Sequence, residues 1–194
     1  MALCVPRRRK TSCAHHGGWL FAYTPDGLCV HLKEFAGTES LAQRYFFLAE
    51  LRARLPNLNV VIHDDPCHLR KFADFHSGGG GLAFDLAYPQ MHYIADRLHA
   101  GGHTDKWCLE NCQPTNPQNV DKVAGVNTEI CEQQFSIMGR FKYMVQSMSR
   151  HTVVLFLNEV VDLRNEDWQV DMVDKANKAA KKAVKAGTVV TEKP

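Results

Sequence analysis

A chain of 194 residues with 45% apolar side chains and a formal charge of +2 has material for one packed domain and a tail. So small a net charge does not by itself argue for a nucleic-acid partner. No apolar stretch approaches the length of a membrane span, and the basic start lacks the apolar run of a secretory signal.

Residues 1–12, with Arg7-Arg8-Arg9-Lys10, carry no periodicity and read as an irregular basic lead. Cys13, His15 and His16 are metal-friendly residue types in a spacing that matches no closed site. Gly18–Thr24 reads as a strand, Pro25-Asp26-Gly27 as a turn and Leu28–Leu32 as the returning strand of a hairpin. Thr38-Glu39-Ser40 opens a helix to about Leu55, with Leu41, Tyr45, Leu48 and Leu51 on one face. Val60-Val61-Ile62 is then a short buried strand, stopped by Pro66, which cannot continue the hydrogen-bond ladder. Two acids, Asp64 and Asp65, stand at that stop. Ligands and metals collect at such edges in open α/β sheets, but Asp-Asp-Pro is also a common plain turn.

Ser77–Gly81 is a glycine spacer without the Lys-Ser/Thr of a phosphate-binding loop. Residues 82–100 read as helical with a break at Pro89, and 100–120 as loop. A long amphipathic helix is expected from about Val120 to Met148, with Ile130, Cys131, Ile137, Met138, Phe141 and Met144 in its apolar stripe. A second helix is expected from Thr152 to Leu163 and a third, rich in Lys and Ala, from Glu166 to Ala186.

Seven cysteines, an odd number, and ten histidines crowd the same segments. That favours a reduced intracellular compartment with metal ligands over a disulfide framework. The densest pattern is His99-x3-His103-x4-Cys108-x3-Cys112, four N/S ligands of the number and softness that tetrahedral zinc prefers. A loop this poor in apolar residues needs something besides a core to order it, which weighs zinc above free thiols and surface histidines. Further on, Glu129 and Glu132 lie one helical turn apart. Such acids are usually solvated, and Glu129 could serve a helix N-terminus. Paired with Asp64 at a strand end, a helical glutamate gives a hard-oxygen site for Mg(II) at a phosphodiester.

Three segments in this order resemble the Kyakuja–Dileera–Zisupton (KDZ) transposases. They are Asp64-Asp-Pro-Cys67-His-Leu69, then Asp96-Arg-Leu-His99 with His103 and Cys108, then Asn127-Thr-Glu-Ile-Cys-Glu132-Gln-Gln-Phe-Ser136, followed by Arg140-Phe-Lys142-Tyr. The likeness covers roughly residues 13–165. It implies an α/β, ribonuclease H-like domain with an Asp-Asp-Glu magnesium site that cuts and joins DNA in the nucleus. Asp64 would be the second aspartate, Glu132 the glutamate, and 96–114 a zinc-bearing His/Cys insertion. Nothing before Gly18 reads as a full strand, and the first acid is Asp26, in a turn. The sequence is therefore expected to be a truncated domain, lacking the first strand and its aspartate, with 166–194 as a basic helical tail. Asp65 could stand in as a ligand, but on a continuing pleat its side chain would point away from that of Asp64. The competing expectation is a catalytically inactive zinc module that touches DNA through Arg70, Lys71, Arg140 and Lys142, or a decayed remnant.

Overall fold

The computed structural model describes residues 2–4, 18–35, 37–76 and 86–185, with the side chains of 2–4 and 185 left aside. The chain divides into two compact units, 1–154 and 155–194.

The first unit is an α/β domain built on one five-stranded sheet, in the spatial order β3 (Cys29–Phe35), β2 (Gly18–Tyr23), β1 (Ala2–Cys4), β4 (Val60–His63) and β5 (His92–Ala95). Its opening hairpin joins β2 (Gly18–Tyr23) to β3 (Cys29–Phe35) around the expected turn, where Gly27 takes a φ of +105°. Gly18 is required for a second reason. A Cβ there would lie 2.5 Å from the Phe35 ring. One strand is not expected from the sequence. Residues Ala2–Cys4 form β1, a short strand at the centre of the sheet, antiparallel to β2 and parallel to β4 (Val60–His63). Three residues are too few to show a period, which is why nothing before Gly18 reads as a strand.

Helix α1 (Leu41–Arg54) starts at the expected place because Ser40 and Gln43 form a reciprocal capping box. The Ser40 hydroxyl accepts from the Gln43 amide at 3.3 Å, and the Gln43 side chain accepts from the Ser40 amide at 3.1 Å. Ser40→Ala is expected to cost about 1 kcal/mol in urea unfolding; no change would mean that water satisfies the helix end equally well.

After β4 the chain passes through Asp64 and Asp65 directly into α2 (Pro66–His76), with proline at its first position. This helix is the crossover that a parallel strand pair requires. The partner is β5 (His92–Ala95), paired in parallel with β4 over its whole length. The helical expectation for 82–100 is thus overturned at 92–95. A β-branched and aromatic run too short for helical periodicity is held between covered faces, with Tyr93, Ile94 and Ala95 all buried. Residues 77–85, including the whole glycine spacer, lie outside the described residues.

Three further expectations are corrected. The stretch expected as loop contains α3 (Lys106–Asn111), capped by Asp105, which accepts from the Cys108 amide at 3.1 Å. The long helix from Val120 to Met148 is several pieces: α4 (Pro117–Val123), α5 (Ile130–Met138), a 3₁₀ turn over Gly139–Phe141 and α6 (Lys142–Ser147). Gly125, at a φ of +70°, divides α4 from α5, and Gly139 begins the 3₁₀ turn. The two last helices are one, α7 (Arg150–Lys185), with no break near 165.

The core of the first unit lies where α1 and α2 meet the sheet. Tyr45, Phe47, Leu48 and Leu51 of α1 and Leu69 and Ala73 of α2 join Leu20, Val61 and Tyr93. The second unit is the remainder of α7, an amphipathic helix that exposes Leu155, Leu163, Val170 and Val173. Among the described residues no helix is long and apolar enough to cross a membrane.

Candidate functional site

The strand ends bring one set of chemical groups together, and the turn into α2 brings another. At the C-terminal end of β4, Asp64 Oδ1 lies 2.9 Å from His63 Nδ1. The same nitrogen is 2.8 Å from the Asp65 amide, so a single ring atom serves one of the two at a time. Burial alone would raise the Asp64 pKa. The His63 hydrogen bond, with the charges of His63, Arg44 and His99, outweighs it and holds the carboxyl at about 2. Asp65 is turned to other partners: His68 Nδ1 at 2.6 Å and Arg44 Nη1 at 3.5 Å.

One strand over, Asp96 follows β5, and its amide meets the His63 carbonyl at 3.3 Å. Its buried carboxylate accepts twice from His99, from the amide at 2.8 Å and from Nδ1 at 2.8 Å. Burial would lower the His99 pKa, yet the Asp96 bond and the charges of Asp96, Glu132 and Asp64 raise it. Glu132 is half-buried on the first turn of α5, and the segment leading into that helix is bonded to Arg97. The Arg97 amide donates to the buried Thr128 hydroxyl at 3.2 Å, and its guanidinium reaches the carbonyls of Val126 at 3.1 Å and Val123 at 2.9 Å. Those contacts tie the lead-in of α5 to the end of β5.

A raised histidine pKa means stability that is complete below the ordinary value of 6.5 and fades as pH climbs through the raised one. An NMR titration of the His99 ring should give a midpoint above 6.5 that drops in Asp96→Asn. A midpoint indifferent to that substitution would remove Asp96 as its cause.

The second set is built from thiols. Cys67 on α2, His103, and Cys108 on α3 present ligand atoms all within 4.8 Å of one another, a group that could hold a metal ion. Cys112, fully buried, packs on Cys67 and Cys108 beside Trp107. Burial, with the hydrogen bond to Cys108, pushes the Cys67 thiol up to about 12; burial also pushes Cys112 up to about 11. Of the sequence-derived zinc set, His103, Cys108 and Cys112 are brought to this cluster. His99 is not: it lies outside the group, with its Nδ1 2.8 Å from Asp96. Cys67, which spacing does not single out, takes its place. Its distance along the chain hides it, and the only sequence signal is its position three residues after Asp64. Asp65, Cys67 and His68 make a second, more exposed group of the same kind.

The basic residues divide. Arg70 is buried, its guanidinium 4.0 Å from the Tyr88 ring centre and 5.2 Å from that of Trp107. Lys71 lies 4.5 Å over Trp107 and 3.7 Å from Asp105, while Arg140 and Lys142 are exposed.

Compared with protein-family models, curated proteins and solved structures, the chain finds no match in any of the three.

Proposed function

We propose that the chain derives from a KDZ-like transposase and that its acid pocket descends from a Mg(II) centre for DNA cleavage and strand transfer. The observations that support this reading are Asp64 at the end of a parallel strand, beside the strand that ends in Asp96, and the charges of both Asp64 and Glu132 acting on His99. The ribonuclease H-like assignment draws support from the sheet: an antiparallel β1-β2-β3 meander, with β4 and β5 added in parallel beside β1. Carboxylate oxygens suit Mg(II), whose work would be to activate an attacking oxygen and stabilise a leaving one. This chain's part is to hold Asp64 ionised, and Arg97 fastens the lead-in of the helix that carries Glu132.

Among the described residues the central strand gives the pocket no acid. Strand β1 reads Ala2-Leu3-Cys4, and continuing its register with β4 by one step puts Cys4 beside Asp64. On the other flank Asp96 stands next to Asp64, but both its oxygens already accept from His99. A carboxylate set short of one ligand positions metal and substrate poorly, so slow turnover is expected. The test is nicking of supercoiled plasmid. Slow nicking that needs Mg(II) and disappears in Asp64→Ala supports the reading, whereas equal nicking by parent and variant removes it.

The missing acid also favours a second reading, a metal-stabilised DNA-binding module without catalysis that uses exposed Arg140 and Lys142. Binding would then weaken steeply with salt, through counterion release, and ignore Asp64→Ala. Affinity unchanged between low and moderate salt would count against it.

A further inference from the structure

We infer that Cys67, His103, Cys108 and Cys112 form one closed zinc site, and that this site fixes the main chain of Asp64. Such a site would stand whether the acid pocket cuts DNA or has lost that ability.

The His103 ring is already set as a ligand. Its Nε2 lies 2.6 Å from the Asp64 carbonyl oxygen. A carbonyl only accepts, so Nε2 carries the proton and Nδ1 keeps its lone pair. That Nδ1 lies 3.7 Å from Cys67 Sγ. In a tetrahedral site, Zn–N of about 2.0–2.1 Å and Zn–S of about 2.3 Å set the N···S edge at about 3.6 Å. The ring therefore has both the tautomer and the spacing of a ligand. Its outer N–H on a main-chain carbonyl is the partner that ligating histidines use to fix their orientation.

Cys108 Sγ lies within 4.8 Å of the ligand atoms of Cys67 and His103. Cys112 stands four residues after Cys108, at the end of α3, and packs against both other cysteines. It would supply the fourth position by moving in on the other three, since its thiol is not among the atoms that lie within 4.8 Å of one another. The Cys112 main chain is itself anchored, its carbonyl accepting from the Ala95 amide of β5 at 2.8 Å. Binding Zn(II) releases the three thiol protons to solvent, and the histidine loses none because Nδ1 is already bare. His99 is held at Asp96 and is not among the ligand atoms that gather here. The closed site would join the start of α2, the α3 segment and the end of β5, and His103 would pass that rigidity to Asp64.

The experiment measures zinc in protein purified under reducing conditions. The parent and His99→Ala should each hold one zinc per chain, and Cys67→Ser should lose it. Zinc-free parent that takes up none on addition, or full zinc in Cys67→Ser, would overturn the site. Should Cys67→Ser fail to fold, Co(II) in the parent decides: a tetrahedral spectrum with the sulfur charge-transfer intensity of three thiolates supports the site, and two thiolates or an octahedral spectrum refutes it. The link to Asp64 is read by amide hydrogen exchange over residues 64–67. Exchange should be faster in chelated protein than in zinc-loaded protein, and identical exchange would break the link.

Discussion

Leu69→Ala is expected to destabilise the first unit by about 3–5 kcal/mol, a large share of the roughly 5–15 kcal/mol that holds a domain together. Leu69 is fully buried on α2, in the cluster that seats both α1 and α2 on the sheet. Truncation removes apolar contact and leaves a cavity whose lining, Val61, Tyr93 and their neighbours, is pinned by the parallel strands. It therefore cannot close by relaxation. Urea unfolding should show a lower midpoint at an unchanged slope. Leu109→Ala is the control: that side chain is 44% exposed and should change stability little. A Leu69→Ala cost under about 1 kcal/mol would mean that α2 is not seated on this core. The effect should reach the acid pocket too, because α2 begins at Pro66, one residue after Asp65.

Arg70→Ala carries the second large effect, and it separates structural from DNA-facing charge. The Arg70 guanidinium is stacked over Tyr88 and near Trp107, and its Nη1 donates to the Asn111 carbonyl at 3.4 Å. A desolvated cation–π contact and a charged hydrogen bond together give an expected loss of about 2–4 kcal/mol. Arg70→Lys should recover little of it, since an ammonium cannot stack as a planar guanidinium does. Lys71→Ala, Arg140→Ala and Lys142→Ala remove exposed charge instead. They should leave the unfolding midpoint nearly unmoved and, if the chain meets DNA, each should reduce the salt slope of binding. If Arg70→Ala lowered DNA affinity at unchanged stability, the buried packing role assigned to it would be wrong.

Much of the first half of the fold can be read from residue order. The hairpin from Gly18 follows from Pro25-Asp26-Gly27, α1 from Ser40 and Gln43, and β4 from an apolar run stopped by Pro66. The failures share a cause. β1 and β5 are three and four residues long, so their strand character comes from the neighbours that cover and pair with them. The long helix expected from Val120 fails because apolar spacing persists across Gly125, while the backbone turns there at positive φ. Site residues divide in the same way. Cys108 and Cys112 are close because four residues make one turn, which spacing reveals. Cys67 joins them from a different helix, and His99 leaves them for Asp96, choices made by tertiary placement alone. Asp96 opens the Asp96-Arg-Leu-His99 segment, yet only the parallel register of β4 and β5 shows that it stands beside Asp64.

The acid pocket can be interrogated without DNA or turnover, by calorimetric titration with Mn(II) as a reporter for Mg(II). The parent protein should bind the ion, and Asp64→Asn and Glu132→Gln should each weaken that binding at least tenfold, about 1.4 kcal/mol. Both variants should keep the zinc content of the parent, and Glu132→Gln its unfolding midpoint, whereas Asp64→Asn should lower the midpoint because the depressed carboxyl stabilises the fold at neutral pH. Glu132→Gln binding Mn(II) as tightly as the parent would show that the helix-borne carboxylate and Asp64 do not share an ion, and the proposed Mg(II) centre would have no chemical basis.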